Sequence, residues 1–298
     1  SRMNKRARSG VLKPTGSITA GVDLQRIIYY FYGFLDNYKF TEGLSDAHTH
    51  EFWGGEIKEL PSFRGIVTFD MLEKYIYGIL IDSLKLECSN EDMTLSSDMI
   101  YKTEKAEILD EGDFEKLPDP DNDLFVMFYD ISIKLNNKDP DGVQTSFSFE
   151  GNNNHNVDST IGFGSRAPQS RAKAGKRENT LSLVTQLDAS TARSILDAQY
   201  GEVDAVEPTK CKILKVPLQI TVKLCELPDL EMKILFPSCT LAAEFDMSGA
   251  DNIETTLNMT TLGSDTATLV DGSTVTTDMY VKVINNQTEI GVDESDSP

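Results

Sequence analysis

The strongest constraint on this chain is that part of its text recurs. Ser17–Asp23 (SITAGVD) leads into a run ending YYFYG at Gly33, and Leu181–Asp188 (LSLVTQLD) leads into ASTARSILDAQYG, ending at Gly201. Aligned on Tyr32-Gly33 and Tyr200-Gly201, the passages lie 168 residues apart, and Leu24, Ile27, Ile28 and Phe31 fall on Ala192, Ile195, Leu196 and Gln199. That i, i+3, i+4, i+7 spacing marks one buried helix face, polar only at the last position of the second run. A glycine closing each run reads as a helix stop.

The match continues. Leu60–Phe69 aligns with Val216–Cys225 at a separation of 156 residues, and Gly78–Asn90 with Lys233–Phe245 at 155. Leu84, Leu86 and Cys88, like Leu218, Ile220, Val222 and Leu224, alternate with the period of a strand that buries one face. The 12-residue drop in separation falls where the first copy has Phe34–Glu59 and the second only Glu202–Lys215. The expectation is a mainly β chain with short helices (α+β), built of two repeated β-sandwich or barrel domains with one helix each. Residues 1–115 form the first domain with a basic N-terminal arm. Residues 116–123 form an acidic linker, and 124–298 the second domain with a C-terminal strand and an acidic tail. Leu124–Asn137 and Val143–Asn154, joined by KDPDG, read as a hairpin.

With 298 residues there is enough chain for a core in each unit. No run approaches the roughly 20 apolar residues of a membrane span, and Leu24–Leu35 lacks the marks of a signal peptide. Cys88, Cys211, Cys225 and Cys239 form no C-x-x-C pair and read as buried free thiols of a reducing compartment. The net charge of −20 argues against nucleic-acid binding. Two segments run against it: Arg2, Lys5, Arg6, Arg8 and Lys13 come with no acid, as do Arg166, Arg171, Lys173, Lys176 and Arg177. Between them Glu104–Asp123 is acidic, punctuated by proline, and reads as a linker or exposed loop.

Asp46-Ala-His48-Thr-His50 has the spacing that opens a metal-dependent amidohydrolase site. Such a site needs further histidines on a β/α barrel, and the chain has only His48, His50 and His155. The hydrolase is therefore rejected, leaving a weak two-histidine site with Glu51 as the remaining metal reading. The motif lies in the extra loop of the first copy, and His155 sits in a polar Asn-rich turn. The phosphate-loop, dinucleotide and nucleophile-elbow motifs are missing from the text, so no catalytic, cofactor-binding or metal residue is assigned and no enzyme is expected.

Four passages carry a family likeness. PTGSITAGVDLQRIIYYFYG resembles the strand-to-helix start of the tail tube (major tail) proteins of long, non-contractile-tailed bacteriophages. HTHEFWGGEIKELPSFRGIV resembles the segment in which a His-x-Phe-like strand start precedes a Leu-Pro-Ser-Phe strand. YIYGILIDSLKLECSNEDMTLSSDMIYKTEK resembles the family hairpin, although it ends Lys102-Thr103-Glu104 where Gly-Lys is usual. NNNHNVDSTIGFGSRAPQSRAKAGKRENTLSLVTQLD resembles the Asn-rich strand end, exposed loop and following strand of a second unit. The likeness runs from about Pro14 to Ile290.

It implies two tail-tube-type domains in a structural virion protein that polymerises as stacked rings into a hollow tube, through which DNA passes without specific binding. A chain with two such domains reaches a pseudo-six-fold ring as a trimer, with a hexamer the second choice. Tape-measure and terminator proteins would be its other partners, in the virion after assembly in the host cytoplasm, with no membrane and no cofactor. Another tail or secretion-tube component of related fold is the alternative. On this reading His48 and His50 begin a strand, and much of the −20 lines the lumen. Arg2, Lys5, Arg6, Arg8, Arg166, Arg171, Lys173, Lys176 and Arg177 are expected to contact an acidic neighbouring ring.

Overall fold

The structure is a computed structural model that describes residues 12–43, 47–55, 59–69, 72–108, 125–139, 143–186, 192, 195–196, 215–246 and 254–291. Among them are sixteen strands and one helix of defined bounds, so the protein is mainly β. In chain order these are β1 (Thr15–Gly21), α1 (Ile27–Phe34), β2 (Asn37–Thr41), β3 (His48–Trp53), β4 (Phe63–Phe69), β5 (Leu72–Cys88), β6 (Thr94–Ile100) and β7 (Thr103–Ile108). There follow β8 (Ile131–Leu135), β9 (Gln144–Asn152), β10 (Glu178–Gln186), β11 (Val216–Lys223), β12 (Glu231–Asp246), β13 (Glu254–Thr261), β14 (Asp265–Thr268), β15 (Thr274–Thr277) and β16 (Tyr280–Asn285).

Fourteen strands join one antiparallel sheet, with β14 and β15 forming a separate pair. Its central run is β1-β6-β5-β9-β10-β13-β12. The two halves of the chain share it, because β5 pairs with β9 over Ser83–Cys88. Val22 near the start and Val283 near the end belong to one apolar cluster. The linker expected at 116–123 lies outside the described residues, and the front of the acidic run, Glu104–Ile108, belongs to strand β7. Hydrogen bonding corrects the expected hairpin: β8 pairs with β11, while β9 goes to β5 and β10.

Two strands are far longer than the rest, and each is bent at a bulge where it changes partners. In β5, Gly78 (φ +68°) is the extra residue between the pairs Phe63–Ile79 and Arg64–Tyr77. Glycine takes that left-handed conformation without steric penalty. In β12, Pro237 and Ser238 fall between the pairs Leu218–Phe236 and Val216–Cys239. Proline, with no N–H to give a ladder, is at home in a bulge. Before its bulge β5 pairs with β4 and β7, and β12 with β11 and β16. Beyond it, β5 pairs with β6 and β9, and β12 with β13.

The helix stripe is placed as its spacing demands: Leu24, Ile27, Ile28 and Phe31 are all buried. Gly33 does not stop the helix, which runs on to Phe34. Its role is close approach, since a Cβ there would come within 2.4 Å of the Phe63 ring and 2.7 Å of Ile81. Of the second run, Ala192, Ile195 and Leu196 are helical and Ile195 is fully buried; Gln199 and Gly201 lie outside the described residues. Cys88 and Cys239 are buried, whereas Cys225 is exposed, contrary to expectation. Cys211 lies outside the described residues.

Candidate functional site

Period-two alternation divides the central seven strands into an apolar and a polar face. Leu84, Leu86, Leu95, Phe149, Leu183 and Leu257 point into the core that α1 shares. The opposite face is Ser-, Thr- and Asn-rich. Ser17 stands opposite Asp98, Lys85 opposite Ser96 and Glu150, Ser182 opposite Ser148 and Asn258, and Thr240 opposite Thr260. Over β9, β10, β13 and β12 this face has an open recess of about 580 Å³ between Glu150, Thr180, Ser182, Thr240 and Asn258. A sheet that spends every second residue on small hydroxyl and amide groups has its polar side in water.

The charge of this face is acidic but modest. Glu87, Asp98, Glu150, Glu178 and Glu254 lie on it with one cation, Lys85, which pairs with Glu87 at 2.8 Å.

Both ends of the run are open among the described residues. Residues 240–246 of β12 pair with β13 on one side only, and β1 pairs with β6 on one side only. Such edges offer unpaired backbone donors and acceptors to another chain.

The basic residues separate. Arg2, Lys5, Arg6 and Arg8 lie outside the described residues. Lys13 pairs with Asp158. Arg171 stands 3.9 Å from Glu59, and Lys173 and Lys176 are exposed. The Leu12 N–H donates to the Arg166 carbonyl at 2.7 Å, which brings the N-terminal segment beside the basic loop. Arg177 is the largely buried member of the set. Its guanidinium is a tenth exposed, bonds Asp36 at 2.9 Å, approaches Asp278 at 3.5 Å, and lies over the Phe34 ring. Burial raises the Asp36 carboxyl, and the Arg177 charge opposes that shift. Periodicity offers no sign that this arginine is held in a buried ion pair while Arg166, Arg171, Lys173 and Lys176 are exposed. The distinguishing partners, Asp36 and Asp278, are remote in the chain.

The two histidines begin β3, as the family likeness implied. His50 is fully buried, takes the Tyr38 O–H on Nδ1 at 3.0 Å and donates Nε2–H to the Gln287 carbonyl at 3.0 Å. Burial lowers its pKa, against the pull of the Gln287 carbonyl, so the ring is neutral. Burial also pushes the Tyr38 hydroxyl up to about 12. The Gly43 N–H donates to His48 Nδ1 at 3.3 Å. Glu51 points to the opposite side of the strand, where its Oε1 accepts from Tyr280 O–H at 2.7 Å and Val270 N–H at 2.8 Å. The geometry does not gather His48, His50 and Glu51 around one point. His155 is likewise taken up: Asp82 Oδ1 lies 2.9 Å from both its Nδ1 and its backbone N–H.

A larger recess of about 750 Å³ lies beside α1, walled mainly by Tyr29, Tyr30, Phe63, Ile79, Ile81 and Leu227.

No protein-family model and no curated protein sequence matches this chain.

Proposed function

We propose that the protein is a tail-tube-type structural subunit that closes into rings edge to edge and stacks into a hollow conduit for DNA, its polar sheet face lining the lumen. The observation that carries this reading is the central sheet: seven strands wide, apolar on one face and polar on the other, with an open edge at each end among the described residues. A sheet with two open edges and one wet face can close with further copies into a barrel.

The same sheet supports the finer reading of two repeated tube-type units. The order β1-β6-β5 in the first half has the form of β10-β13-β12 in the second. The long strand that ends each trio is bulged at the same point, because at the 155-residue separation Asp82, the extra residue between the pairs Ile81–Met99 and Ser83–Asp98, falls on Pro237. The extra text at Phe34–Glu59 is the β2–β3 hairpin, which the corresponding stretch of the second half is too short to hold.

Size favours three copies. With strands about 4.8 Å apart and tilted 35–45° from the barrel axis, 21 strands close a ring roughly 40–45 Å across. Two copies would leave roughly 26–30 Å backbone to backbone before side chains enter, too narrow for a duplex. β1 and the far part of β12 run in the same direction, since every pair between them is antiparallel. A seam therefore needs either a parallel pair or one intervening strand, the place that β9 fills at mid-chain. The acidic groups on the polar face suit a conduit, because they repel the phosphate backbone over roughly a Debye length of 8 Å.

Negative-stain microscopy of the purified protein tests the reading. Rings and tubes are expected, and a preparation that stays monomeric at every concentration refutes it. Single rings that never stack would favour a terminator-type component instead.

A further inference from the structure

Resting on that tube reading, we propose that the two rims of the central sheet are complementary surfaces, and that a cationic loop carrying Phe163 on one rim docks on an acidic, aromatic patch on the opposite rim of the copy in the next ring.

Strand register fixes the rims. Thr15 at the start of β1 pairs with Ile100 at the end of β6, and the neighbouring ends Asn152 and Glu178 pair with each other at the same rim. Gly21 pairs with Thr94 at the other rim, beside the turn from β5 to β6. Seven residues of strand separate the rims, roughly 20 Å. The two surfaces are thus held apart within one copy and can meet only between copies.

The first rim carries the loop between β9 and β10. Phe163 is fully exposed there between Gly162 and Gly164, the latter at φ +89°. Arg166, Arg171, Lys173 and Lys176 follow on the same loop. The described acids beside it are Asp158, held by Lys13, and Glu59 near Arg171. An aromatic ring with no cover, amid cations, costs solubility unless something receives it.

The second rim has what would receive it. Phe125, Phe128 and Tyr129 are exposed, with the Phe128 and Tyr129 rings packed edge to face at 5.5 Å. Backbone bonds fix them: Val126 N–H to Val22, Met93 N–H to Val126 and Phe128 N–H to Glu91. The Cys225 N–H donates to Asp130 Oδ1 at 3.2 Å, which draws the turn from β11 to β12 to the same rim. Exposed Glu91, Glu226 and Asp229 thereby share this rim with the aromatic patch.

A knob on one rim and its receptor on the other make a heterologous contact, which propagates as an open stack rather than closing on itself. The aromatic ring supplies the buried anchor, and the opposite charges orient it and weaken the contact as salt rises.

The test uses full-length protein assembled and imaged by negative stain, with Phe163→Ser as the variant. Wild-type tubes are expected, while the variant is expected to stop at separate rings with the wild-type circular dichroism spectrum. In a second arm, Phe163→Cys and Phe128→Cys proteins, both carrying Cys225→Ser, are mixed and oxidised with copper phenanthroline. A disulfide-linked dimer is expected from the mixture and little of it from either protein alone. Variant tubes as long and numerous as wild type, or a mixture no more cross-linked than its components, overturn the rim pairing while leaving the tube intact. Wild-type protein that forms neither rings nor tubes overturns the tube reading itself.

Discussion

The early parts of β5 and β12 are built alike and clothed differently. Leu72–Ile79 of β5 is flanked by β4 and β7, and nothing further pairs with those two strands among the described residues. In β12 the flanking strands β11 and β16 are themselves covered, by β8 on one side and by β3, with β2 behind it, on the other. Burial follows the covering. Met232, Ile234 and Phe236 are fully buried. Residues 72–78 of β5 are all half-buried, β7 is exposed along its whole length, and Ile66 of β4 is largely exposed. Flanking strands alone therefore do not confer equal stability: β12 owes its buried setting to the further cover of β8, from its own half, and of β3, from the first half, while the outer edges of β4 and β7 stay open among the described residues.

The largest test of this contrast is a pair of truncations. Phe236→Ala, which removes a ring packed 5.4 Å from Phe149, is expected to cost about 3–5 kcal/mol in urea unfolding. Ile66→Ala in the uncovered sheet should stay within about 0.5 kcal/mol. Equal costs would mean that covering does not set stability. Amide exchange should agree, with β7 and β4 exchanging far sooner than β16 and β11.

Next in size is the clamp on the covering hairpin. Arg177 joins Asp36, just before β2, to Asp278, just before β16. Replacing it with Ala strands the buried Asp36 carboxylate and should cost roughly 3 kcal/mol. It should also accelerate exchange in β2 and β3 more than in β4. Uniform acceleration would show that the ion pair is not specific to the covering strands.

The smallest effect is acid sensitivity of the covering strand. His50 in β3 has a folded pKa below its unfolded value near 6.5, so protonation favours unfolding. Stability is full above that value and declines as pH falls through it. The melting temperature should drop between pH 7 and 5, and His50→Gln should flatten that part of the profile. Asp82 adds a second loss at lower pH. Burial raises its carboxyl, but the bonds to His155 outweigh that and hold it below the ordinary range, so its contribution disappears only as pH falls through the depressed value.

What the sequence disclosed was local periodicity. The stripe Leu24, Ile27, Ile28, Phe31 and the alternations through Leu84–Cys88 and Leu218–Leu224 all face the core, because spacing alone determines which side of an element is apolar. Strand partnership was hidden. Leu124–Asn137 and Val143–Asn154 look like neighbours around KDPDG, yet β8 and β9 find partners tens of residues away, since pairing depends on which edges the rest of the fold leaves open. The histidine pair was misleading for a similar reason: Asp-x-His-x-His is a spacing, and only the fold shows His50 already committed to Tyr38 and Gln287. Phe163 and the aromatic rim at Phe125–Tyr129 were legible as residues but not as opposite ends of one sheet.

Edge-to-edge closure by three copies is tested most directly by the mass of the smallest assembled ring, measured by native mass spectrometry on protein freed from tubes by raising the ionic strength. A particle of three times the 33.1 kDa chain is the expected result. Any other copy number, or a monomer alone, contradicts it.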